Sequence, residues 1–272
     1  MSNKTLGATG ARLLSTLAES NQLVFSVADA RVILRSSYDA TLQTLRRLAR
    51  AGWLVRLTAG RYAIVPLSSG DVATPQVNRY VIGRELLRDT PYYVSYDSAM
   101  DIHNMLTRPV VTVIITTPRR LANRGILGVP YRFIYAPRTA LWGCGPVWVT
   151  PYEQVTVSNL ERTILDGLAR PDLCAGVGQV ATGLWMRHDD LDWDRLVGDA
   201  QKLGTRAVAQ RLGYLLELYS LGTPATITAL QELVGIAYAR LDPLLPDDGP
   251  YLARWRLRLN LEPETLRSIV RT

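Results

Sequence analysis

The amino-acid sequence predicts an α+β fold, in which a small helical domain at the N-terminus precedes a larger mixed α/β domain. Three observations predict it. In the first quarter of the chain, cap and turn residues mark the ends of three short helices and a hairpin. A segment without periodicity follows, and the rest of the chain alternates between strand-like and helix-like stretches. A hydrophobic fraction of 47% with 20% charged residues is typical of a chain that builds a core, and 272 residues allow two domains. We therefore expect domains at residues 1–66 and 77–272, joined by a linker at 67–76.

The first domain is predicted from the residues that begin and end its elements. Ser26 can cap a second helix, Ser36 and Ser37 can cap a third, and Gly52 is a typical stop after that third helix. Three helices followed by a hairpin is the element order of a winged helix-turn-helix domain. The expected elements are a helix from about Thr9, as its N-cap, to Ser20, a helix at Val27–Leu34, a helix that follows the caps Ser36 and Ser37 and runs to Ala51, and strands Leu54–Leu57 and Arg61–Val65 around the turn Thr58–Gly60.

The positive charge of the protein is concentrated in this first domain. Residues 1–70 contain nine basic and three acidic side chains, so they carry +6 of the net charge of +7. The remaining 202 residues are nearly neutral, with 22 basic and 21 acidic side chains. An arginine-rich composition alone would spread arginine evenly and would not deplete acids locally. The asymmetry is typical of a module that binds a polyanion.

The third helix is predicted to present a DNA-contacting face. On a helical wheel Leu42, Leu45 and Leu48 lie on the inner side, and Tyr38 and Thr41 lean towards it. Glutamine can pair with adenine and arginine with guanine in the major groove, whereas hydroxyls and N–H groups at a helix N-terminus suit a phosphate. Arginines beside the hairpin turn would reach the DNA backbone or the minor groove. The predicted DNA-binding residues are Ser36, Ser37, Gln43, Thr44, Arg46, Arg47 and Arg50 on the helix, with Arg56 and Arg61 at the wing.

Two other interpretations of the first domain stay open at this point. The outer face of the third helix could be an ordinary solvated surface, although such surfaces usually mix charges and this one has Asp39 as its single acid. A winged helix can also serve as a protein-interaction module. The element order and the location of the charge together favour DNA binding.

The second domain is predicted to alternate strands and helices before becoming largely helical. Ser158–Glu161 matches a capping box that begins a helix ending near Ala169, with Ser158 as the cap and Glu161 as its partner. Arg162 and Asp166 lie four residues apart and can pair on one helix face. The other expected helices are Val77–Leu87, Asp97–Leu106, Ala175–Met186, Trp193–Leu203, Ala207–Leu221, Ile227–Leu233 and Pro263–Val270, and the expected strands are Tyr92–Ser95, Val110–Thr116, Tyr131–Tyr135, Val147–Val149, Gln154–Val157 and Arg254–Asn260.

Candidate catalytic and metal-ligating residues are few. In the run His188–Asp194, Asp192 and Asp194 are spaced like the paired carboxylates of nucleotidyltransferases. No Gly-Ser loop precedes them, however, and acidic residues before a helix also complement its dipole. His103 with Asp97 and Asp101 offers one histidine and two carboxylates, a weak metal signal. Two histidines in the chain exclude a multi-histidine centre, and the sequence has no phosphate loop, Gly-x-Ser-x-Gly or Cys-x-x-Cys. We expect no catalytic residue, no metal and no cofactor.

Several segments carry a resemblance to a known family. They are Leu48–Leu54 running into Gly60–Tyr62, Tyr93–Ala99, Val157–Asp166 and Arg211–Glu217. In this order they resemble the AbiEi-type antitoxins of type IV toxin–antitoxin systems, and the resemblance spans most of the chain. It implies a winged helix that binds repeats in the promoter and represses its own operon. It also implies a C-terminal domain that neutralises a co-encoded nucleotidyltransferase-type toxin.

The expected partners are therefore double-stranded DNA of the protein's own promoter and a cognate toxin. One alternative is a ligand-sensing transcriptional regulator, and another is a metal-dependent enzyme that uses the acidic cluster near Asp192. Glu161–Thr163 with Asp166 could be functional, although a helix-stabilising role is favoured.

The cellular location is predicted from what the sequence lacks. No apolar run reaches the length of about 18 residues that spans a membrane, and the N-terminus has no secretory signal pattern. Cys144 and Cys174 are expected as free thiols. These expectations favour a cytoplasmic protein without a membrane partner.

Overall fold

A computed structural model of the protein describes residues 6–65 and 77–268, so the linker predicted at 67–76 lies outside the described residues. The fold is α+β, with helices and several sheets. The chain divides into two compact units. The first is drawn from Met1–Thr90, Asn123–Tyr131 and Val147–Val155, and the second from Pro91–Ala122, Arg132–Pro146 and Thr156–Thr272.

The described helices and strands follow one another along the whole chain. Their bounds are α1 Ala8–Glu19, β1 Val24–Ser26, α2 Val27–Leu34, α3 Tyr38–Arg50, β2 Leu54–Thr58, β3 Arg61–Ile64, α4 Arg79–Leu87, β4 Tyr93–Val94, α5 Tyr96–Ile102, β5 Val113–Thr117, β6 Arg124–Ile126, β7 Val129–Tyr135, β8 Cys144–Thr150, β9 Glu153–Ser158, α6 Leu160–Ala169, α7 Val177–Met186, α8 Trp193–Leu203, α9 Arg206–Tyr219, α10 Pro224–Glu232, β10 Ala239–Arg240, β11 Tyr251–Leu252, β12 Leu257–Arg258 and α11 Pro263–Ser268.

In the first unit, α1, α2 and α3 pack over a small antiparallel sheet in the order β1-β3-β2. Their core contains the fully buried side chains of Leu13, Leu17, Phe25 and Leu45. The predicted bounds of α2 are those observed, and α3 follows the predicted cap Ser37 and ends one residue before the predicted Ala51. The predicted N-cap of α1, Thr9, lies inside the helix, whose N-cap is Gly7, and α1 ends one residue before the predicted Ser20. The short strand β1 was not expected.

Side-chain caps explain where α2 and α3 begin. The hydroxyl of Ser26 accepts a hydrogen bond from the backbone N–H of Asp29 at 3.1 Å, and the Asp29 carboxylate accepts one from the N–H of Ser26 at 2.7 Å. Ser37 caps α3 by accepting from the N–H of Ala40 at 3.3 Å. Arg35, with a φ of 50°, turns the chain between the two helices.

The helix α4 belongs to the first unit, although the sequence pattern assigned it to the second domain. It packs against β2, and its N-cap is Asn78, whose side-chain oxygen accepts from the N–H of Tyr80 at 2.8 Å. The same unit contains residues 123–131, in which β6 pairs with the first residues of β7, from Arg124 with Tyr131. It also contains residues 147–155, where β8 and β9 are neighbours in the sheet.

In the second unit, β4 lies between β5 and β9, with β7 on the far side of β5. β4 pairs antiparallel with β5 and parallel with β9, the latter through Val94 and Val157. The helix α6 packs against α5, α7, α8 and α9, and its residues 161–168 are all buried. A second small sheet has the order β10-β12-β11.

Three expectations for the second unit need correction. The cap of α6 is Asn159, which accepts from the N–H of Arg162 at 2.8 Å, so the predicted capping box at Ser158 and Glu161 is wrong. Ser158 instead shares a hydrogen bond with the Thr163 hydroxyl, and Glu161 accepts from the N–H of Asp192 at 3.0 Å. The strand expected at Arg254–Asn260 is only Leu257–Arg258, and the short strands β10 and β11 were not expected, as β6 was not in the first unit. Residues 269–270 of the expected last helix lie outside the described residues.

Gly213 shows how tightly the second unit is packed. The indole of Trp255, fully buried, lies where a side chain at position 213 would begin, 2.1 Å from an ideal Cβ. We expect Gly213→Ala to destabilise the protein by about 1–3 kcal/mol through overpacking. Gly198→Ala is the matched control, since Gly198 also lies inside a helix and a Cβ there would have nothing within 4 Å. Thermal melting should show a lower Tm for Gly213→Ala alone, and equal Tm values for the two variants would contradict this packing.

Both cysteines are free, as expected. Within the described ranges, no helix combines the length and the apolar character needed to cross a membrane.

Candidate nucleic-acid interface

A basic groove of about 580 Å³ lies between α3 and the β2–β3 hairpin of the first unit. Four of its lining side chains are arginines, and no carboxylate is among the described residues that line it. Its lining residues are Tyr38, Leu42, Arg46, Ala49, Arg50, Arg56, Ala59, Gly60, Tyr62 and Arg88. Such a concentration of guanidinium groups creates a positive potential that suits an anionic ligand.

Helical spacing places Arg46 and Arg50 in the groove. They follow Tyr38 and Leu42 at intervals of four residues, so all four side chains lie along one stripe of α3. The buried stripe beside it, which includes Leu45, packs into the core. The core therefore fixes the helix rotation that turns both arginines towards the hairpin.

Tyr38 corrects the wheel-based expectation. The sequence placed it on the core side of α3, but its side chain is 55% exposed and lines the groove. The buried stripe contains Thr41, Leu45 and Leu48, and it is narrower than the wheel indicated. An exposed aromatic ring thus stands beside the arginines.

Gln43, Thr44 and Arg47 lie on α3 outside the groove lining. Gln43 and Arg47 are exposed one helical turn apart. Thr44 is half-buried, and its hydroxyl donates to the Ala40 carbonyl at 3.0 Å. The predicted helix residues therefore occupy two adjacent stripes, of which one faces the groove.

The two serines before α3 have internal hydrogen-bond partners. Ser37 is the N-cap, and the Ser36 hydroxyl lies 2.8 Å from that of Thr41. Ser36 lines a separate shallow pocket with Arg31 and Arg35. Both serines therefore help to begin α3. The sequence had indicated both of them as possible caps of this helix.

The two predicted wing arginines have different surroundings. Arg56 lines the groove, and its Nε donates to the Thr58 carbonyl at 3.2 Å next to the turn. Arg61 does not line it, because its guanidinium pairs with Glu85 at 3.2 Å. Glu85 is only 8% exposed and also pairs with Arg84 at 3.0 Å. Arg61 therefore joins β3 to α4, a partnership that the sequence did not indicate.

Arg88 is the groove arginine that the sequence did not indicate. It follows the last residue of α4, and its guanidinium donates a hydrogen bond to the Ala59 carbonyl in the hairpin turn. The sequence offered one signal, an arginine after an apolar helical stretch, but nothing in it related this position to the hairpin.

A second cluster of charged residues is buried in the second unit. The Nε of Arg162 donates to the Asp166 carboxylate at 2.7 Å, and the Tyr93 hydroxyl donates to its other oxygen at 3.0 Å. The Arg162 guanidinium stacks 3.9 Å from the ring of Trp142. Burial raises the pKa of Asp166, and its bonds to Arg162 and Tyr93 oppose that shift. The predicted Arg162–Asp166 pair is confirmed, and with Tyr93 it joins α6 to β4.

The acidic run before α8 has the geometry of a helix cap. Asp192 accepts from the N–H of Arg195 at 3.0 Å, and the Asp189 side chain is 91% exposed. The Nδ1 of His188 lies 2.6 Å from the Trp185 carbonyl. Across residues 6–65 and 77–268, no three His, Cys, Asp or Glu side chains are grouped so that they could hold a metal ion.

Comparison with known proteins adds a structural relative. No protein-family model and no curated protein matches the sequence. The chain is similar to the crystal structure of the Rv2827c protein from Mycobacterium tuberculosis, with a TM-score of 0.72 and 19% sequence identity. The match covers 98% of this chain and 96% of that one. At this identity the likeness shows a shared fold, over almost the full length of both chains.

Proposed function

We propose that residues 6–65 form a winged helix-turn-helix domain that binds double-stranded DNA. In this proposal α2 and α3 are the helix-turn-helix, α3 enters the major groove, and the β2–β3 hairpin is the wing. The observation that carries the proposal is the basic groove, where Arg46 and Arg50 from the helix and Arg56 from the hairpin line one concave surface. Arginine suits both phosphate and guanine because its planar fork donates two parallel hydrogen bonds.

Gln43 and Arg47 are proposed to read bases on the stripe next to the groove. Both are exposed, and neither has the buried partner that Arg61 has. A glutamine and an arginine one turn apart can contact neighbouring base pairs in the major groove. The groove arginines would then position the helix on the backbone, and the adjacent stripe would supply discrimination.

The wider proposal is a repressor of its own operon that also acts as an antitoxin against a co-encoded nucleotidyltransferase-type toxin. Its support is the resemblance of the quoted segments to AbiEi-type antitoxins, together with the concentration of positive charge in residues 1–70. The resemblance to that family is what assigns the neutralising role to the C-terminal part of the chain.

The DNA-binding proposal is tested with the full chain and a labelled duplex of its own promoter. Fluorescence anisotropy should show binding at least about a thousandfold tighter than to a shuffled duplex of equal length, the usual margin of a specific regulator. Equal affinity for the two duplexes would reduce the groove to a general polyanion site, and no binding to either would refute the proposal.

The antitoxin proposal is tested by co-expression with the toxin-like gene of the same operon. The wild-type chain should restore growth, and so should Arg46→Ala/Arg50→Ala, which should nevertheless lose repression of a promoter reporter. If neither chain restores growth, the antitoxin part fails while the DNA-binding part stands.

A further inference from the structure

Arg88 lies outside the predicted DNA-binding domain and yet lines its groove. It ends α4 with a φ of 54° and a ψ of −123°, a conformation that residues with side chains rarely adopt. The side chain is exposed, and one of its nitrogens donates to the carbonyl of Ala59. This places the guanidinium at the tip of the hairpin.

Buried contacts of α4 hold Arg88 in this place. The helix packs against β2, and Leu86 and Leu87, which directly precede Arg88, are both buried. Glu85 accepts ion pairs from Arg61 in β3 and from Arg84 in α4 itself. The last turn of α4 is therefore anchored to the hairpin directly before the charged side chain.

The charge of Arg88 adds to that of three other groove arginines. Arg46, Arg50 and Arg56 line the same space, where the described lining includes no carboxylate. The Ala59 carbonyl accepts from one guanidinium nitrogen, and an arginine has five N–H donors in a fixed fork. Its other donors can bind a phosphate while the first one holds the turn.

We propose that Arg88 binds a DNA phosphate and that α4 is an integral part of the DNA-binding surface. This inference rests on the proposed function, because it adds a contact and a helix to the same interface. A guanidinium that bridges the hairpin turn and a phosphate would fix the wing against the DNA backbone. The contact carries no base preference, since phosphates are the same in every sequence.

The test compares full-length Arg88→Ala, Arg88→Lys and Arg119→Ala by anisotropy on the promoter duplex over a salt series. Arg119 is exposed and lies in the second unit, so its removal matches the loss of charge without touching the groove. Arg88→Ala should bind about tenfold more weakly. Its plot of log affinity against log salt should be shallower by about 0.9, the share of one phosphate contact. Arg88→Lys should keep the wild-type slope with reduced affinity, and Arg119→Ala should match the wild type.

Each other result has a distinct meaning. Wild-type affinity and slope in Arg88→Ala, with weakened binding in Arg46→Ala, would overturn this inference and leave the proposed function standing. Weaker binding with an unchanged slope would also overturn it, because Arg88 would then only support the hairpin. Wild-type protein that binds no duplex would instead refute the proposed function. The Tm of Arg88→Ala should match that of Arg119→Ala. If Arg88→Ala melts at a lower temperature, the affinity and slope of Arg88→Lys are compared with those of the wild type instead.

Discussion

Replacing Arg46 and Arg50 together with alanine is expected to weaken binding to the promoter duplex by at least about 30-fold, since each removes a charge-assisted hydrogen bond. Both side chains are exposed and line the groove, so their loss should leave the fold intact. The plot of log affinity against log salt should also become shallower by about two units. The double variant would neutralise two fewer phosphates, so its binding would release fewer counterions. Anisotropy titrations measure both quantities.

The matched control is Arg119→Ala/Arg138→Ala, which removes the same charge from two exposed positions in the second unit. This variant should retain almost all of the wild-type affinity. If both double variants lose affinity equally, net charge rather than the groove governs binding. If Arg46→Ala/Arg50→Ala binds like the wild type, α3 does not contact DNA through this stripe.

Asp166→Ala is expected to lower the stability of the protein by about 3–5 kcal/mol, the usual cost of removing one partner of a buried ion pair. Arg162 is 4% exposed, and without the carboxylate its charge would remain buried beside the Tyr93 hydroxyl and the Trp142 ring. Thermal or denaturant unfolding of the full chain measures the loss.

Asp172→Ala provides the control for that variant. The Arg170–Asp172 pair has the same separation of 2.7 Å as the Arg162–Asp166 pair, but its side chains are 47% and 37% exposed. An exposed pair contributes about 0–1 kcal/mol, so this variant should melt close to the wild type. A similar Tm for Asp166→Ala and Asp172→Ala would show that the buried ion pair contributes no more to stability than the exposed one.

Local signals in the sequence were sufficient to predict the helices of the first unit. Ser26 with Asp29 and Ser37 with Ala40 are neighbours along the chain, and the caps that they form depend on residue type and spacing alone. The strand β1 is different, because three residues show no periodicity and its pairing with β3 joins Phe25 to Tyr62 across 36 intervening residues.

The groove was only partly predictable from the sequence, because part of its lining depends on contacts between distant residues. The wheel identified Arg46 and Arg50 as outward-facing, but Tyr38 lies at the margin of the buried stripe, and its exposure depends on how far the rest of the core extends. Arg61 and Arg88 acquired their roles through α4, whose position relative to the hairpin no local pattern encodes.

In the buried cluster of the second unit, too, the local contact was predictable and the long-range contact was not. The spacing of Arg162 and Asp166 predicted their pair, since residues four apart meet on a helix. Tyr93 is 73 residues from Asp166, and the parallel pairing of β4 with β9 brings its strand beside the start of α6. The cap of α6 was predicted one residue too early, because Asn159 is the N-cap and the Glu161 carboxylate accepts from the N–H of Asp192.

The most direct test of the central claim is the salt dependence of promoter binding by the wild-type chain. Four groove arginines predict that log affinity falls linearly with log salt concentration, with a slope of about −3 to −4. An affinity that stays nearly constant between about 50 and 200 mM salt would show that few phosphates are neutralised, and it would contradict the assignment of the groove to DNA.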